Sequence, residues 1–257
     1  MFSRFFSRSK SEREQQRNDL IPPGANWAFL GADMHSHFIP GIDDGAKTMD
    51  ESLALIRAMV AMGYRTIITT PHIMVDYYPN NPEIILSGLE KVQEAVKNEG
   101  LPVTIKAAAE YYIDETFIKR MQSEPLLTIT GNEVLVEFSM IYEPPLLSDI
   151  LFQMQSADYK PILAHPERYN FLHNDMERYA ELKDRGCKFQ MNMLSLTGYY
   201  GRNVKITAEK LLHKGMYDYC GSDMHHEKHA AALAAMASTE AYLAVSGHPF
   251  LNSKLCL

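Results

Sequence analysis

Residues 33–48 read DMHSHFIPGIDDGAKT: His35 and His37 bracket one residue, and Asp43 and Asp44 follow within a short, glycine-punctuated run. Imidazole and carboxylate donors at this density suit a divalent metal. A solvated polar loop is the other reading, and this segment alone does not choose between them. The same residue types recur where later apolar runs end. His72 closes RTIITTPH, Glu110 closes VTIKAAAE, Glu137 lies in EVLVEF and His165 closes PILAH, while Asp223 and His225 follow MYDYCG. The run CKFQMNM offers Gln190 and Asn192 instead. A lone histidine such as His72 is more often structural than a ligand. Two carboxylates that end apolar runs, Glu110 and Glu137, are costly to bury unless paired or metal-bound. The joint pattern points to a metal, and mixed nitrogen and carboxylate donors suit manganese, iron or zinc better than a thiolate metal. His173, His213 and His248 fall in helical or terminal contexts and read as surface residues.

Other chemistries fit poorly. GIDDGAKT lacks the GxxxxGK[ST] spacing, because Ala46 stands where the second glycine belongs, and two aspartates would repel phosphate. A cysteine-dependent tyrosine phosphatase needs an arginine six positions after its thiolate, but Cys187 is followed there by Met193 and Cys220 by His226. No GxSxG marks a serine hydrolase.

These donors need a scaffold, and 257 residues suffice for one large domain or two small ones. Hydrophobic content of 46% with 22% charged residues is ordinary globular composition. The net charge of −7 argues against a nucleic-acid partner. Three widely spaced cysteines without a CxxC argue against a disulfide framework or zinc ribbon and favour a reducing compartment. No apolar stretch of about 20 residues suggests a membrane span. The start, MFSRFFSRSKSEREQQR, is a poor secretory signal. It reads as a frayed tail or as a segment resting on an anionic membrane surface. LIPPGANW ends this extension, giving residues 1–27 and then one domain over 28–257.

Beyond residue 28, seven apolar runs alternate with amphipathic stretches. Thr48 and Glu51 form a capping box before SLALIRAMVAMG, which Gly63 stops. PEIILSGLEKVQEAVKNEG carries proline in its first turn and ends at Gly100. Alternating strand and helix implies parallel strands joined by right-handed crossovers. The absence of a linker favours a closed barrel over two domains, with an open doubly wound sheet as the alternative. In a barrel the strand ends converge on one face.

DMHSH, TTPH, AAEYY, VEFS, AHPERY and SDMH, in this order, resemble the motifs of the PHP (polymerase and histidinol phosphatase) superfamily. HFIPGIDDG with VEFS and AHPERY is similar to the bacterial metal-dependent tyrosine-protein phosphatases of capsule and exopolysaccharide pathways. The likeness spans about residues 30–250. It implies an α/β fold, a distorted TIM-like (β/α)7 barrel of the PHP type, and three divalent transition-metal ions. Manganese is the expected metal, with iron, zinc or cobalt as alternatives. By resemblance His35, His37, Glu110 and Asp223 hold the first ion. Glu110 bridges to a second with Glu137 and His165, and Asp44, His72 and His225 hold a third. Arg168 matches a phosphate-gripping arginine, and His225 is a candidate catalytic acid. A further arginine expected shortly after SDMH is missing from HHEKHAAAL, so His226, Lys228 or His229 would take its place.

The implied reaction is direct, metal-assisted hydrolysis of phosphotyrosine without a phosphoenzyme. The implied partner is the tyrosine-phosphorylated tail of a bacterial kinase, met in the cytoplasm at the inner face of the membrane. Homo-oligomers are known among relatives of this type. Three rivals follow: a histidinol-phosphate phosphatase, a phosphodiesterase or nuclease, and a non-catalytic metal-stabilised binding module.

Overall fold

A computed structural model describes Gly24 and residues 26–256 of the chain. The extension expected over 1–27 therefore lies almost wholly outside the described residues.

The seven apolar runs become nine short parallel strands, because two of the runs break. The strands are β1 (Ala32–Asp33), β2 (Thr66–Thr69), β3 (His72–Ile73), β4 (Thr104–Ala107), β5 (Glu110–Tyr112), β6 (Glu133–Glu137), β7 (Lys160–Ala164), β8 (Lys188–Asn192) and β9 (Tyr219–Gly221). Pro71, without an N–H to donate, interrupts the second run between β2 and β3. The third run breaks at Ala108 and Ala109. Each broken run changes sheet: β1-β2-β4 form a three-stranded sheet and β3-β5-β6-β7-β8-β9 a six-stranded one. The Ala108 N–H donates to Thr69 O at 2.9 Å, and the Glu110 N–H donates to Pro71 O at 3.1 Å, so the two breaks stay side by side. A single parallel bridge, Ser36 with Met224, joins the extensions of β1 and β9. The parallel α/β architecture agrees with the sequence reading, but the strands do not make one closed sheet.

The helices are α1 (Met49–Ala61), α2 (Pro82–Asn98), α3 (Phe117–Ser123), α4 (Leu147–Ser156), α5 (Met176–Asp184), α6 (Arg202–His213), α7 (Glu227–Met236) and α8 (Glu240–Ser246). Thr48 Oγ1 accepts from the Glu51 N–H at 3.2 Å, starting α1. The expected reciprocal bond is shifted, since Glu51 Oε2 accepts from Lys47 N–H at 2.8 Å instead of from Thr48. Asn81 caps α2, accepting from Ile84 N–H at 2.9 Å.

Strand side chains alternate between two apolar layers, as buried parallel strands require. Ile67, Val134, Val136, Leu163 and Phe189 join the large cluster with helix residues such as Ile56, Leu151 and Leu182. Their neighbours Ile68, Leu135, Ile162 and Ala164 pack on the other face with Ala32, Met34 and Tyr219. Both faces of the sheets are thus covered, and the strand ends are left as the place for polar residues.

Candidate metal centre

The chain leaves β1 through Asp33 and turns so that His35 and His37 face the ends of β5 and β9. Asp33 is a clasp: fully buried, it accepts from both the N–H and the Oγ of Ser222 at 2.8 Å. Gly45 and Gly221 allow the close approach. A Cβ on Gly45 would lie 2.2 Å from His37 O, and one on Gly221 would lie 2.7 Å from His35 Cβ. Two ligand-type residues adopt left-handed backbone, His165 with φ 32° and Asp223 with φ 49°. Such conformations cost energy in non-glycine residues and are concentrated at functional sites.

Glu110 stands at the centre, in register with His72 across β3 and β5. Its Oε2 lies 3.1 Å from His35 Nε2, 3.6 Å from His37 Nε2 and 3.2 Å from His72 Nδ1. Its Oε1 lies 3.2 Å from His165 Nε2. Glu137 flanks it, 3.6 Å from His165 Nε2 and 3.7 Å from His72 Nδ1. Asp223 Oδ1 lies 3.3 Å from His35 Nε2, 3.5 Å from His37 Nε2 and 3.4 Å from His225 Nδ1. On the open side, Asp44 Oδ1 is 3.5 Å from His72 Nε2 and 3.4 Å from His225 Nε2. All nine side chains named from the sequence come together here.

The donor set fits divalent cations. It forms overlapping groups with ligand atoms within 4.8 Å of one another: His37, Asp44, His72 and His225; His35, His165 and Asp223; His35, His37 and Glu110; His72, Glu110 and Glu137. Buried Nδ1 atoms of His72 and His165 make no hydrogen bond; for His72 the 3.2 Å approach of Glu110 lacks hydrogen-bond geometry. The far nitrogens of the remaining histidines are anchored, as metal-bound imidazoles require. His37 Nδ1 pairs with Asp43 Oδ2 at 2.8 Å, His35 Nδ1 with Gln190 Oε1 at 2.8 Å, and His225 Nδ1 with Asp223 O at 2.8 Å.

Without cations the cluster carries opposed proton affinities. Burial and the charge of Glu110 push Glu137 well above the carboxylate range, whereas His35 and His72 hold Glu110 well below it against the effect of its own burial. Burial and the nearby Arg168 depress His165 to about 4. His225 and His72 hold Asp44 at about 2 despite its partial burial. Two buried carboxylates with divergent affinities, set among imidazoles, are what a cation cluster would resolve.

The surrounding mouth, about 580 Å³, is lined by Asp44, His72, Glu110, Glu137, His165, Asp223 and His225 and by Met74, Tyr77, Tyr78, Tyr112, Phe138, Tyr200, His226 and His229. Arg168 enters it from the turn after β7. Its Nη1 donates to Asp223 Oδ2 at 2.8 Å, and its guanidinium lies 4.4 Å from the Tyr200 ring centroid. Asn192 Nδ2 donates to the same Asp223 oxygen at 2.9 Å. His226 borders the mouth, with Nδ1 capping α7 through the His229 N–H. Lys228 is exposed and does not line it. A larger cleft of about 1030 Å³ lies between α6 and α8 and gathers no comparable donor set.

Sequence reading missed Asp43 and Tyr200 and left Gln190 and Asn192 without roles. Asp43 was visible as half of an acidic pair. Tyr200 carried no signal, since only the fold brings it to Arg168. One expectation is corrected: His173 is not a surface residue but is 9% exposed, with Nε2 bonded to Glu167 O at 2.9 Å. That carbonyl needs a donor, and burial of the turn leaves no water to supply one.

A family profile described as capsular polysaccharide synthesis, CpsB/CapC, matches residues 31–244. Tyrosine-protein phosphatase YwqE of Bacillus subtilis is 27% identical over 197 residues, which are 76% of this chain and 78% of the relative. Tyrosine-protein phosphatase CpsB of Streptococcus pneumoniae is 29% identical over 200 residues, 76% of this chain and 82% of the relative. A solved structure, reported among those of YwqE and CpsB as unique metal-dependent tyrosine phosphatases, superposes with TM-score 0.74 at 25% identity, covering 88% of this chain and 94% of that one.

Proposed function

This chain belongs to the capsular polysaccharide synthesis CpsB/CapC family, and on that footing we propose that it is a metal-dependent protein-tyrosine phosphatase. Its substrate is a phosphotyrosine monoester on the tail of a bacterial tyrosine kinase in capsule or exopolysaccharide synthesis. One observation carries the reading: imidazoles and carboxylates from residues 35 to 225 meet around Glu110, beside the cationic Arg168.

Three divalent ions, manganese first among them, would suit these donors. His35, His37, Glu110 and Asp223 would hold one; Glu110, Glu137 and His165 a second; Asp44, His72 and His225 a third. Four carboxylates against three divalent ions leave a formal surplus of two positive charges. Two ions would leave none. An acidic chain can therefore attract a phosphate dianion locally. When bound, the ions supply Lewis-acid charge at the phosphoryl oxygens and acidify water enough for direct attack.

The protein's own residues do the remaining work. Arg168, 24% exposed in its side chain, offers guanidinium N–H groups to the phosphoryl oxygens while Asp223, Tyr200 and burial fix its direction. The aromatic walls Tyr77, Tyr78, Tyr112 and Phe138 suit an aryl leaving group. A tyrosine oxygen, with a reference pKa of about 10, leaves without strong acid help. A covalent route through cysteine is disfavoured: burial pushes the Cys187 thiol up to about 12 and the Cys220 thiol well above its usual range.

We read the two sheets as the sides of a distorted (β/α)7 barrel occupying residues 28–257, supported by the Ser36–Met224 bridge. Residues 1–27 are proposed to meet the inner face of the membrane, near the kinase. No helix among the described residues is long and apolar enough to cross a membrane. The test compares manganese-loaded protein on a phosphotyrosyl peptide and on histidinol phosphate. A higher kcat/KM on the peptide is expected; preference for the alkyl phosphate overturns the substrate assignment.

A further inference from the structure

Strands β3, β5 and β6 are neighbours in the six-stranded sheet, so the segments that follow them, residues 74–81, 113–116 and 138–146, stand side by side along one edge of the mouth. They are tied together: the Val75 N–H donates to Asp114 Oδ2 at 3.4 Å, and the Ile113 N–H donates to Glu137 O at 2.9 Å. Burial raises the Tyr112 phenol above its usual range, and Tyr142 is close enough to add to the effect, so Tyr142 stands beside a wall of the mouth. This edge is apolar where it meets water. Tyr77, Ile141, Tyr142 and Leu146 are between 60% and 76% exposed, with Val75 beside them at 38%. Single exposed apolar residues are ordinary, but a run of them along one edge marks an interaction surface. The loop after β6 is held firmly in this shape. Glu143 accepts from Arg178 Nε at 2.9 Å and from its Nη2 at 2.7 Å, Met140 O accepts from the Asn170 N–H at 3.1 Å, and Pro144 and Pro145 restrict the backbone. Its acidic residue is thus fastened to α5 while its apolar residues face solvent. Leu146 even adopts left-handed backbone, φ 58°, with no burial of its side chain in return.

We propose that this edge is a docking shelf for the peptide that carries the phosphotyrosine, and that it selects apolar residues beside the phosphotyrosine and rejects acidic ones. This rests on the phosphatase reading above. Continuity with the mouth decides the occupant: Met74, Tyr77, Ser139 and Met140 line the mouth and belong to the same segments as the exposed side chains. Whatever sits on the shelf therefore lies across the entrance. A substrate chain must lie there for its phosphate to reach the metal centre, whereas a second copy of this protein would obstruct it. Charge supports the selection. The three segments contain no lysine or arginine, and they carry Asp76, Asp114 and Glu115 besides the Glu143 that Arg178 holds. Acidic residues in the peptide would meet these carboxylates without a compensating cation, a repulsion that disfavours the wrong partner. Apolar residues would cover Ile141, Tyr142 and Leu146, and because the loop is already rigid, little ordering cost offsets the gain.

The experiment compares manganese-loaded full-length protein with the double variant Ile141→Ser, Tyr142→Ser, whose sites are exposed and outside the metal and phosphate contacts. Substrates are free O-phosphotyrosine and three phosphotyrosyl peptides whose neighbouring residues are leucine, serine or glutamate. The parent is expected to show its lowest KM on the leucine peptide and its highest on the glutamate peptide. In the variant, KM on the leucine peptide should rise about 5- to 30-fold, the range expected for losing part of two apolar side chains from a contact. Its kcat, and its kcat/KM on free phosphotyrosine, should stay within about twofold of the parent, because only uniform binding has been removed. Equal KM on the three peptides, an unchanged KM in the variant, or an equal loss on free phosphotyrosine overturns the proposal. Sedimentation velocity on both proteins identifies the other occupant: assembly lost in the variant, with peptide KM unmoved, makes this edge a contact between copies and also overturns it. If the parent hydrolyses no phosphotyrosine at all, the phosphatase reading fails. Fluorescence anisotropy of the same labelled peptides then judges the shelf separately, by whether the leucine peptide binds tightest and loses its advantage in the variant.

Discussion

Asp43 and Asp44 are neighbours in one turn and serve different ends. Asp44, half exposed, faces His72 and His225, whereas the Asp43 side chain is fully buried and takes the outer nitrogen of His37. Asp43→Asn should therefore leave the ligands in place yet weaken divalent-metal affinity about 10- to 100-fold, read by metal titration of chelated protein. Unchanged affinity would remove Asp43 from the support of His37. Arg168→Lys keeps the charge but loses the planar fork over Tyr200. It should lower kcat/KM on phosphotyrosyl peptide nearly as much as Arg168→Ala, and full rescue by lysine would contradict the assigned grip. Asp33 titrates in the folded protein near 7, because burial outweighs its hydrogen bonds from Ser222. A carboxyl raised in this way destabilises the fold progressively as pH rises from about 4 to about 7. In metal-free protein, Asp33→Asn should gain stability over the parent across that window, by at most about 1.4 kcal/mol per pH unit; parallel urea midpoints at both ends would refute this. Most of the candidate ligands were legible in the sequence because they lie at or just beyond the ends of apolar runs, where an unpaired charge has no structural excuse. Their supports were not. Gln190 reaches His35 across 155 residues, and no local pattern encodes that pairing.

The elements aim these residues through close backbone approaches. Gly45→Ala would force a Cβ against the His37 carbonyl, and backbone there has little room to yield. The expected cost is about 1–3 kcal/mol of stability, with looser metal binding, measured by denaturant unfolding and metal titration. An unchanged midpoint would show that the turn can open. The sequence announced α1 through Thr48, which caps it with its side-chain oxygen; Asn81 and Asp175 do the same for α2 and α5 without having been read as caps. The strands were less readable. Apolar content cannot reveal that the runs at 65–72 and 103–110 each change sheet midway, since only backbone hydrogen bonding distinguishes the two halves.

At the scale of the whole molecule, the centre joins the beginning of the domain to its end. His35 and His37 follow β1, Asp223 and His225 follow β9, and the Asp33–Ser222 clasp ties the two. A cation cluster held by both should act as a staple, so bound manganese should raise the melting temperature, and chelation should lower it. Alignment of parallel strands and convergence of their ends were legible from the alternation of elements. Whether they form one sheet was not, because no residue pattern separates a continuous sheet from the three- and six-stranded sheets observed. The central claim is that water attacks phosphorus under the influence of ions held by these nine side chains. Its most direct measurement is hydrolysis of a phosphotyrosyl peptide by chelator-stripped protein titrated with manganese, before and after thiol alkylation. The account predicts no turnover without metal, recovery to a plateau as manganese is added, and little effect of alkylation. Full activity in metal-free protein, or abolition by alkylation alone, would contradict it.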